Sequence, residues 1–297
     1  MSNVIRSFIV RTGVDLSGMT VGFKKLSTDL KRAGKQIAST GKSLTKNISV
    51  PLLAVGAASI KFSSEFEDSM AAVSTVADTA VKSISELSDG VMELSGKTGK
   101  AASEVGDALY LAISSGAETA TALGLVGAAS KIAVTGFTDT TTAVDGLTSV
   151  LNAYNMETSE ANRIANLFQV TQDVGKSTVD ELAQSIGNVT SISATAGVSI
   201  ESLLSAIATL SLNGIKTDEA ITGVKSAISN IIKPSEQAAE VAEALGLDFS
   251  ATALQAKGLS AFLADVQEKT GGNIEVMATL FGNVRGLNAM LKLTSSG

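Results

Sequence analysis

The spacing of the apolar residues is the feature that most constrains the fold of this chain. Between residues 62 and 94 they recur at alternating steps of three and four, which places them on one side of an α-helix. Only two prolines occur in 297 residues, so the commonest helix breaker is almost missing. This spacing over about four heptads predicts a coiled-coil-like seam. The capping-box pattern from Ser83 to Glu86 indicates a helix break near residues 78–82.

The same spacing recurs in shorter stretches along the rest of the chain. Apolar stripes with 3-4-3 steps or close to them begin at Val144, Val179, Ile200 and Ile221. Glycines stand where these helices should stop, and Ser or Thr where they should start. The predicted stops are Gly116, Gly136, Gly197, Gly214, Gly246 and Gly271, and the predicted starts are Thr158, Ser177 or Thr178, Ser199 and Thr217. The pattern predicts a string of helices of roughly 12–18 residues joined by short turns.

The N-terminal region differs from this body. Residues 7–14 alternate as a short β-strand, and an amphipathic helix with an apolar stripe follows over residues 19–37. Pro51 suits the first turn of a new helix. We therefore predict an all-α fold, a string of helical hairpins or an elongated helical bundle with one short N-terminal strand. The predicted domains are a basic arm over residues 1–50 and a helical core over 51–297.

Charge divides the chain near the same proline. Residues 1–61 carry ten basic and two acidic side chains, whereas the remainder carries 13 basic and 27 acidic ones. The basic side chains of the amphipathic helix share the face opposite its apolar stripe, and we predict that this face docks a partner: Lys24, Lys25, Lys31, Arg32 and Lys35. A solvated helix face and adsorption to anionic lipid are the other interpretations of this pattern.

Composition excludes several kinds of chemistry. The chain has no His and no Cys, which excludes imidazole catalysis, Cys–His and Ser–His nucleophiles, Cys/His zinc sites and disulfides. The segments at Gly175–Thr178 and Gly41–Ser43 resemble the end of a phosphate-binding loop, but the required earlier glycine is Val170 or Gln36. The spacing of Ser39 and Lys42 has no companion motif. We therefore predict no enzymatic activity, no cofactor and no metal.

Nucleic-acid and membrane roles receive little support. The segment 196–199 resembles the turn of a helix-turn-helix reader, but the following helix over residues 200–213 carries no Lys or Arg. The longest apolar run, residues 50–60, is shorter than the ~20 residues that cross a bilayer. We predict no sequence-specific nucleic-acid binding. A membrane-acting or pore-forming helical protein is the alternative function, because the helices are apolar and one is basic and amphipathic.

Two pairs of fragments indicate an internal repeat. Gly99-Lys100 with Glu104 resembles Gly175-Lys176 with Asp180, and residues 143–149 resemble residues 220–226. The offset between matching fragments is nearly the same in both pairs, which is what duplication of a helical unit would produce. The alternative is chance similarity in a composition dominated by Ala, Ser, Thr and Gly.

The order of several short motifs resembles that of phage tail tape-measure proteins. The segment 41–53, with its Gly-x-x-Leu-Thr and Pro-Leu elements, resembles the N-terminal region of that family. Phe66-Glu67 and Met70 match the helix that follows it. Further fragments resemble the family's core region: Ala112–Gly116, Ser149–Ala153 and Leu280–Gly282. The resemblance covers essentially the whole chain.

The resemblance implies a structural role in the phage or prophage virion. Family members set tail length during tail assembly and are ejected ahead of the DNA at infection. The implied partners are tail-tube, baseplate or tail-initiator and tail-assembly chaperone proteins, together with further copies of the chain. The implied locations are the tail lumen and, during assembly, the host cytoplasm. The chain is short for this family, so we expect it to continue into a longer protein, with membrane contact made only by segments farther downstream.

Overall fold

A computed structural model describes residues 59–295 of the chain. Within that range the chain forms fourteen α-helices and no strand, so the all-α prediction is confirmed there. The predicted strand over residues 7–14 and the basic amphipathic helix lie outside the described residues. The helices are α1 (Ser59–Val76), α2 (Ile84–Thr98), α3 (Ala102–Ser114), α4 (Thr119–Thr135), α5 (Thr140–Ala153), α6 (Ala161–Val174), α7 (Val179–Ser185), α8 (Gly187–Thr195), α9 (Ile200–Leu212), α10 (Thr217–Ile232), α11 (Glu236–Ala244), α12 (Ala251–Thr270), α13 (Ile274–Phe281) and α14 (Val284–Ser295).

The predicted seam over residues 62–94 is divided between two helices. Helix α1 ends at Val76, and α2 begins after Ser83, whose side chain and Glu86 form the expected capping box. The backbone N–H of Asp78 in the intervening turn donates to Thr119 Oγ1 at 2.9 Å. The predicted break is therefore confirmed. The turn after α1 and the capping box at the start of α2 exclude a single helix along the whole seam.

Most of the predicted helix boundaries are also confirmed. Thr178 and Ser199 are the N-caps of α7 and α9. Thr217 is the first residue of α10, and Thr158 begins a single 3₁₀ turn (Thr158–Glu160) that precedes α6. All six predicted stop glycines follow helix ends. Some lengths differ from the prediction, because α7, α8, α11 and α13 have seven to nine residues and α12 spans 20 with a break at Gly258.

The helices pack mainly on neighbours one or two places along the chain, and they share one core. This core contains many Ala and Val side chains, and its largest fully buried side chains include Phe168, Phe262 and Phe281. Small side chains let the helix axes approach closely. The packing therefore depends on close contact between helix backbones more than on large buried side chains.

The structure supports a repeat with one constant offset. Helices α2, α3 and α5 begin at positions 84, 102 and 140, and α6, α7 and α10 begin at positions 161, 179 and 217, so each pair is separated by the same interval. Buried positions correspond at that interval as well: Leu87 with Ile164, Val105 with Leu182, and Val144 with Ile221. We call residues 59–135 unit 1, residues 140–212 unit 2 and residues 217–295 unit 3. Composition alone does not produce matching burial, so duplication is the better interpretation.

Unit 3 departs from unit 2. In unit 2 the contacts of Gly146 with Ala183 and of Ser149 with Gly187 run in the same order along α5 and the segment 179–195, so the two are parallel. In unit 3, α10 packs on α14 in the opposite direction. The Asn230 side chain donates to the carbonyl of Phe281, and the Asn283 side chain bonds Ser226.

The outer side of α1 is polar. Glu67, Ala71 and Ser74 are exposed, whereas the corresponding residues of α5 (Val144, Thr148 and Leu151) are buried. Helix α5 is covered by α3 and α4 of the preceding unit, and α1 has no equivalent cover among residues 59–295. A polar outer face is typical of the terminal unit of a repeat array.

Candidate interaction surfaces

The basic face predicted to dock a partner lies outside the described residues. Its members are Lys24, Lys25, Lys31, Arg32 and Lys35. Its role therefore stays a prediction. The surfaces built by the described residues are the two edges of the repeat array, where the inter-helix turns meet.

One edge is closed by a carboxylate that joins consecutive units. Glu104 on α3 accepts hydrogen bonds from both the backbone N–H and the hydroxyl of Thr140, each at 2.8 Å. Thr140 is the first residue of α5, so the carboxylate satisfies a free N–H group at a helix N-terminus and also complements the helix dipole. Lys100 forms an ion pair with Glu104 at 3.1 Å and donates to the carbonyl of Thr138 at 2.8 Å.

The same contact recurs between units 2 and 3. Glu181 on α7 accepts a hydrogen bond from the hydroxyl of Thr217, the first residue of α10, at 2.7 Å. At the interval that relates the helix starts, Glu104 corresponds to Glu181 and Thr140 to Thr217. The sequence fragments align Glu104 with Asp180, and the structure corrects this alignment by one position. We call this side of the array, formed by the turns at residues 99–101, 136–139, 175–178 and 213–216, the clamp edge.

Hydrogen bonding favours the ionised form of two carboxylates at the clamp edge, Glu104 and Asp139. Burial alone would raise the pKa of Glu104, but the hydrogen bonds from Thr140 and the neighbouring Lys100 outweigh it and lower the pKa below its ordinary value. Asp139, the N-cap of α5, behaves in the same way, because bonds from Thr141 and Thr142 outweigh burial and lower its pKa.

Close helix contacts lie behind this edge. A Cβ added to Gly146 on α5 would lie 2.7 Å from the Cα of Ala183. One added to Gly223 on α10, the corresponding residue of unit 3, would lie 2.9 Å from the Cβ of Ala289. Neither glycine leaves room for a larger residue, so the helix packing within units 2 and 3 depends on both of them.

The sequence motifs that suggested chemistry serve local structure. The segment Gly175–Thr178 is a helix-capping turn: the N–H of Lys176 donates to Ser211 Oγ at 2.9 Å, and Thr178 with Glu181 forms a capping box. Asp180 accepts a hydrogen bond from Thr138 Oγ1 at 2.5 Å. These structural roles account for the acidic pair Asp180 and Glu181, so a catalytic role is not needed to explain it.

The resemblance to a helix-turn-helix reader ends at the turn. Gly197 has φ +72° and Ser199 caps α9, as a tight turn requires. However, α9 is mostly buried, and its Glu201 is paired with Arg163 of α6. This helix has neither the exposure nor the basic charge needed to enter a DNA groove.

The clamp edge also carries an exposed aromatic residue. Phe137, in the turn between α4 and α5, is 94% exposed and has φ +54°. Its counterpart between units 2 and 3 is Gly214, with φ +85°. A bulky side chain in left-handed backbone is uncommon, and no sequence pattern pointed to it.

A groove lies on the other side of the array, which we call the groove edge. It is formed where the turn after α3 meets the end of α5, and the Asn152 side chain donates to the carbonyl of Ser115 there at 3.0 Å. The groove encloses about 410 Å³. Its lining is mostly polar: Leu125 and Leu151 are buried beneath it, Met156 is half-buried, and Glu118 and Glu157 are exposed.

The described part of the chain lacks two features that other functions require. No helix between residues 59 and 295 is long and apolar enough to cross a membrane. Over the same range, no three His, Cys, Asp or Glu side chains are grouped so as to hold a metal ion.

These features define a class of protein: an α-helical repeat scaffold whose distinctive side chains hold units together or lie on its edges. Residues 88–282 match the family model described as phage-related minor tail protein. Because that match covers more than half of the chain, the chain belongs to the phage-related minor tail protein family. This confirms the resemblance to phage tail proteins noted in the sequence.

A curated relative supports the same assignment. The chain is 25% identical over 270 residues to the "Tape measure protein" of Pneumococcus phage Dp-1, which covers 89% of this chain. The chain spans 23% of the length of that relative. No solved structure matches the chain.

Proposed function

We propose that this chain is a tape-measure component that helps set tail length during assembly. The observation that carries the proposal is the similarity to the Dp-1 tape measure protein along 89% of the chain, within a family of minor tail proteins. Because residues 59–295 form short packed helices, we propose that the length-setting segment lies farther along the complete protein, where a continuous helix would add ~1.5 Å per residue. We propose the tail lumen as its location, after a stage in the host cytoplasm.

Tail length is the direct test. In-frame deletions of whole helical repeats from the complete gene, downstream of this region, should shorten tails by about 1.5 Å per residue removed. Insertions should lengthen them by the same amount, measured by electron microscopy. Full-length tails from a phage with a large deletion would exclude the tape-measure role. The matched control is a synonymous recoding of the same region.

Ejection with the genome requires a separate experiment. If the protein leaves the tail ahead of the DNA, its peptides should be present in intact virions and depleted from particles whose DNA release has been triggered. Quantitative mass spectrometry against a tail-tube protein measures this. Retention of the chain in emptied tails would contradict ejection and leave the length-setting role intact.

The basic arm is proposed to dock an acidic partner at one end. Candidate partners are the tail-tube, tail-initiator and tail-assembly chaperone proteins. Reversing the charges of the five residues of the basic face should block tail assembly and leave the helical content and unfolding midpoint of the body unchanged. The control reverses five exposed basic residues of the body: Lys216, Lys225, Lys233, Lys269 and Arg285. Normal tails from the basic-face variant would contradict the docking role.

The membrane alternative is not supported by the packing. The apolar stripes that suggested it are buried in the shared core of the described residues. We therefore do not propose a membrane-acting function for this region.

A further inference from the structure

We propose that residues 236–295, which we call the C-terminal lobe, rotate away from α10 as a folded body about a hinge at residues 233–235. The lobe consists of helices α11 to α14. Its rotation uncovers a face of α10 that is built from small and polar residues. This inference concerns a motion within the described region and does not depend on the tape-measure role.

The contact between the lobe and α10 is made largely by small side chains and backbone. Four small or polar residues of α10 contact α14 or the turn before it: Gly223, Ser226, Ala227 and Asn230. The two helices lie so close that a Cβ added to Gly286 of α14 would lie 3.4 Å from the backbone nitrogen of Ala227. Hydrophobic stabilisation scales with the apolar area removed from water, so this contact resists separation less than one between large side chains.

Two side-chain hydrogen bonds connect α10 to the turn between α13 and α14. The Asn230 side chain donates to the carbonyl of Phe281, and the Asn283 side chain donates to Ser226 Oγ at 2.6 Å. Ser226 and Asn230 are only partly buried, and Asn283 is exposed. Water can therefore bond to the same groups after the lobe has moved, so the two bonds restrain the rotation without preventing it.

The lobe carries an aromatic cluster of its own. The ring of Phe249 packs on the rings of Phe262 and Phe281, with centroids 5.8 and 5.4 Å apart, and all three side chains are buried. Helix α11 packs mainly on α13 of the same lobe. Aromatic side chains bury large apolar areas, and their pairing adds to that stabilisation. The interactions inside the lobe are therefore stronger than those that hold it on α10, and we expect the lobe to stay folded when it rotates.

The connection between α10 and the lobe can act as a hinge. After α10 ends at Ile232, Lys233 leaves the helical conformation with φ −136° and ψ 78°, and Ser235 is the N-cap of α11. Pro234 between them is one of the two prolines in the chain, and its ring prevents α10 from continuing into α11. Rotation at these residues changes few backbone dihedrals and leaves the helices on both sides intact.

The repeat supports a weakly specified contact at this face. Gly146 on α5 and Gly223 on α10 occupy the same repeat position, and each meets the backbone or Cβ of a neighbouring helix. The neighbour of α5 is the parallel helix α7, whereas the neighbour of α10 is the antiparallel helix α14. The same repeat position accepts helices of opposite direction, which indicates that the contact does not require interlocking large side chains.

Thiol labelling in increasing urea tests the motion, because the chain has no cysteine of its own. Ala227→Cys places a thiol on α10 beneath α14, Ala242→Cys places one within the lobe on α11, and Ala129→Cys places one on α4; all three positions are buried. We expect the thiol at position 227 to react through an opening whose equilibrium depends little on urea, because the rotation exposes little surface. The thiols at positions 242 and 129 should react only through unfolding, with a much stronger dependence on urea.

Further variants link the labelling to the contact itself. Ala289→Cys, on the α14 side, should report the same opening as Ala227→Cys. Asn230→Ala should raise the labelling rate at position 227 several-fold, because it removes one of the two restraining bonds. The control is Asn188→Ala on the exposed side of α8, which should leave that rate unchanged.

Two results would overturn the proposal. Equal urea dependence at positions 227 and 129 would show that the lobe leaves α10 only when the whole protein unfolds. Labelling at position 242 as fast as at position 227 would show that the lobe unfolds where it lies instead of rotating as a folded body.

Discussion

At both junctions between repeat units, a glutamate of one unit accepts a hydrogen bond from the first residue of the next unit, but the residues around this bond differ. At the first junction Glu104 binds both the N–H and the hydroxyl of Thr140, and Lys100 pairs with the same carboxylate. At the second junction Glu181 binds the hydroxyl of Thr217 and also belongs to a capping box. The first turn holds the exposed, left-handed Phe137, and the second holds Gly214. The comparison shows that the clamp is retained while the turn beside it varies.

The hydrogen bonds of the clamp occur together with close backbone contact. Gly146 and Gly223 occupy the same repeat position, but Gly146 meets the backbone of α7 and Gly223 meets α14. In unit 3 the glycine is still needed, although a different helix packs against it. In both units glycine is needed because the backbone of the neighbouring helix lies too close for a Cβ.

The largest expected effect comes from filling this contact. Gly146→Ala should lower the free energy of unfolding by about 1–3 kcal/mol, because the added Cβ meets the backbone of Ala183, which cannot rotate away. Urea unfolding followed by circular dichroism measures the change. Gly223→Ala should have an effect of the same order.

Gly124→Ala is the matched control for that substitution. Gly124 also lies within a helix, but no atom lies within 4 Å of its added Cβ. This change should stabilise the protein by about 0.5–1 kcal/mol, since alanine is the better helix former. Equal effects at positions 146 and 124 would show that backbone contact does not limit the packing of α5 on α7.

An intermediate effect is expected at the clamp carboxylate. Glu104→Gln should lower the free energy of unfolding by about 1–2 kcal/mol at pH 7, because charged hydrogen bonds to Thr140 and the Lys100 ion pair are weakened. Glu181→Gln should cost less, since Thr217 supplies one bond from its hydroxyl. A larger loss at Glu181 would reverse the ranking of the junctions.

The pH dependence of the same variant gives an independent test. The pKa of Glu104 is lowered by folding, so its stabilising contribution is complete above the pKa of the unfolded chain. That contribution is lost as the pH falls through the lower pKa of the folded state. The difference in stability between wild type and Glu104→Gln should therefore shrink on acidification below about pH 4.3. A difference that grows in acid would contradict the assignment.

The smallest effect, of opposite sign, is expected in the turn. Phe137→Gly should stabilise the isolated chain by about 0.5–1 kcal/mol, because relief of about 1–2 kcal/mol of left-handed strain exceeds the entropy that glycine adds to the unfolded state. The exposed ring contributes little burial to offset this gain.

Two further variants test whether left-handed backbone strain causes the effect at position 137. Gly214→Phe should destabilise the second junction by a similar amount, because it recreates the strain of the first. Asn155→Gly should change stability little, since Asn tolerates the left-handed conformation that residue 155 adopts. Destabilisation by Phe137→Gly in the monomer would mean that the ring serves folding.

Much of the local structure could be predicted. The capping box at Ser83, the caps at Thr178 and Ser199 and the six stop glycines are local signals, so the residues concerned lie within a few positions of one another. The repeat is also visible in sequence, although its fragments pair Glu104 with Asp180 instead of Glu181. A one-position error is natural there, because both acids start the same helix and only one reaches the next unit.

The sequence by itself therefore determined that the described residues are helical, where most helices begin and end, and that the chain carries a repeat. Only the tertiary structure decided that α5 lies parallel to α7 while α10 opposes α14, that Glu104 reaches Thr140, and that Phe137 is left exposed. Caps and apolar spacing act within one helix. By contrast, the direction of packing and the exposure of a turn depend on contacts between residues far apart in the chain, such as Glu104 with Thr140 and Gly223 with Ala289, which local patterns do not encode.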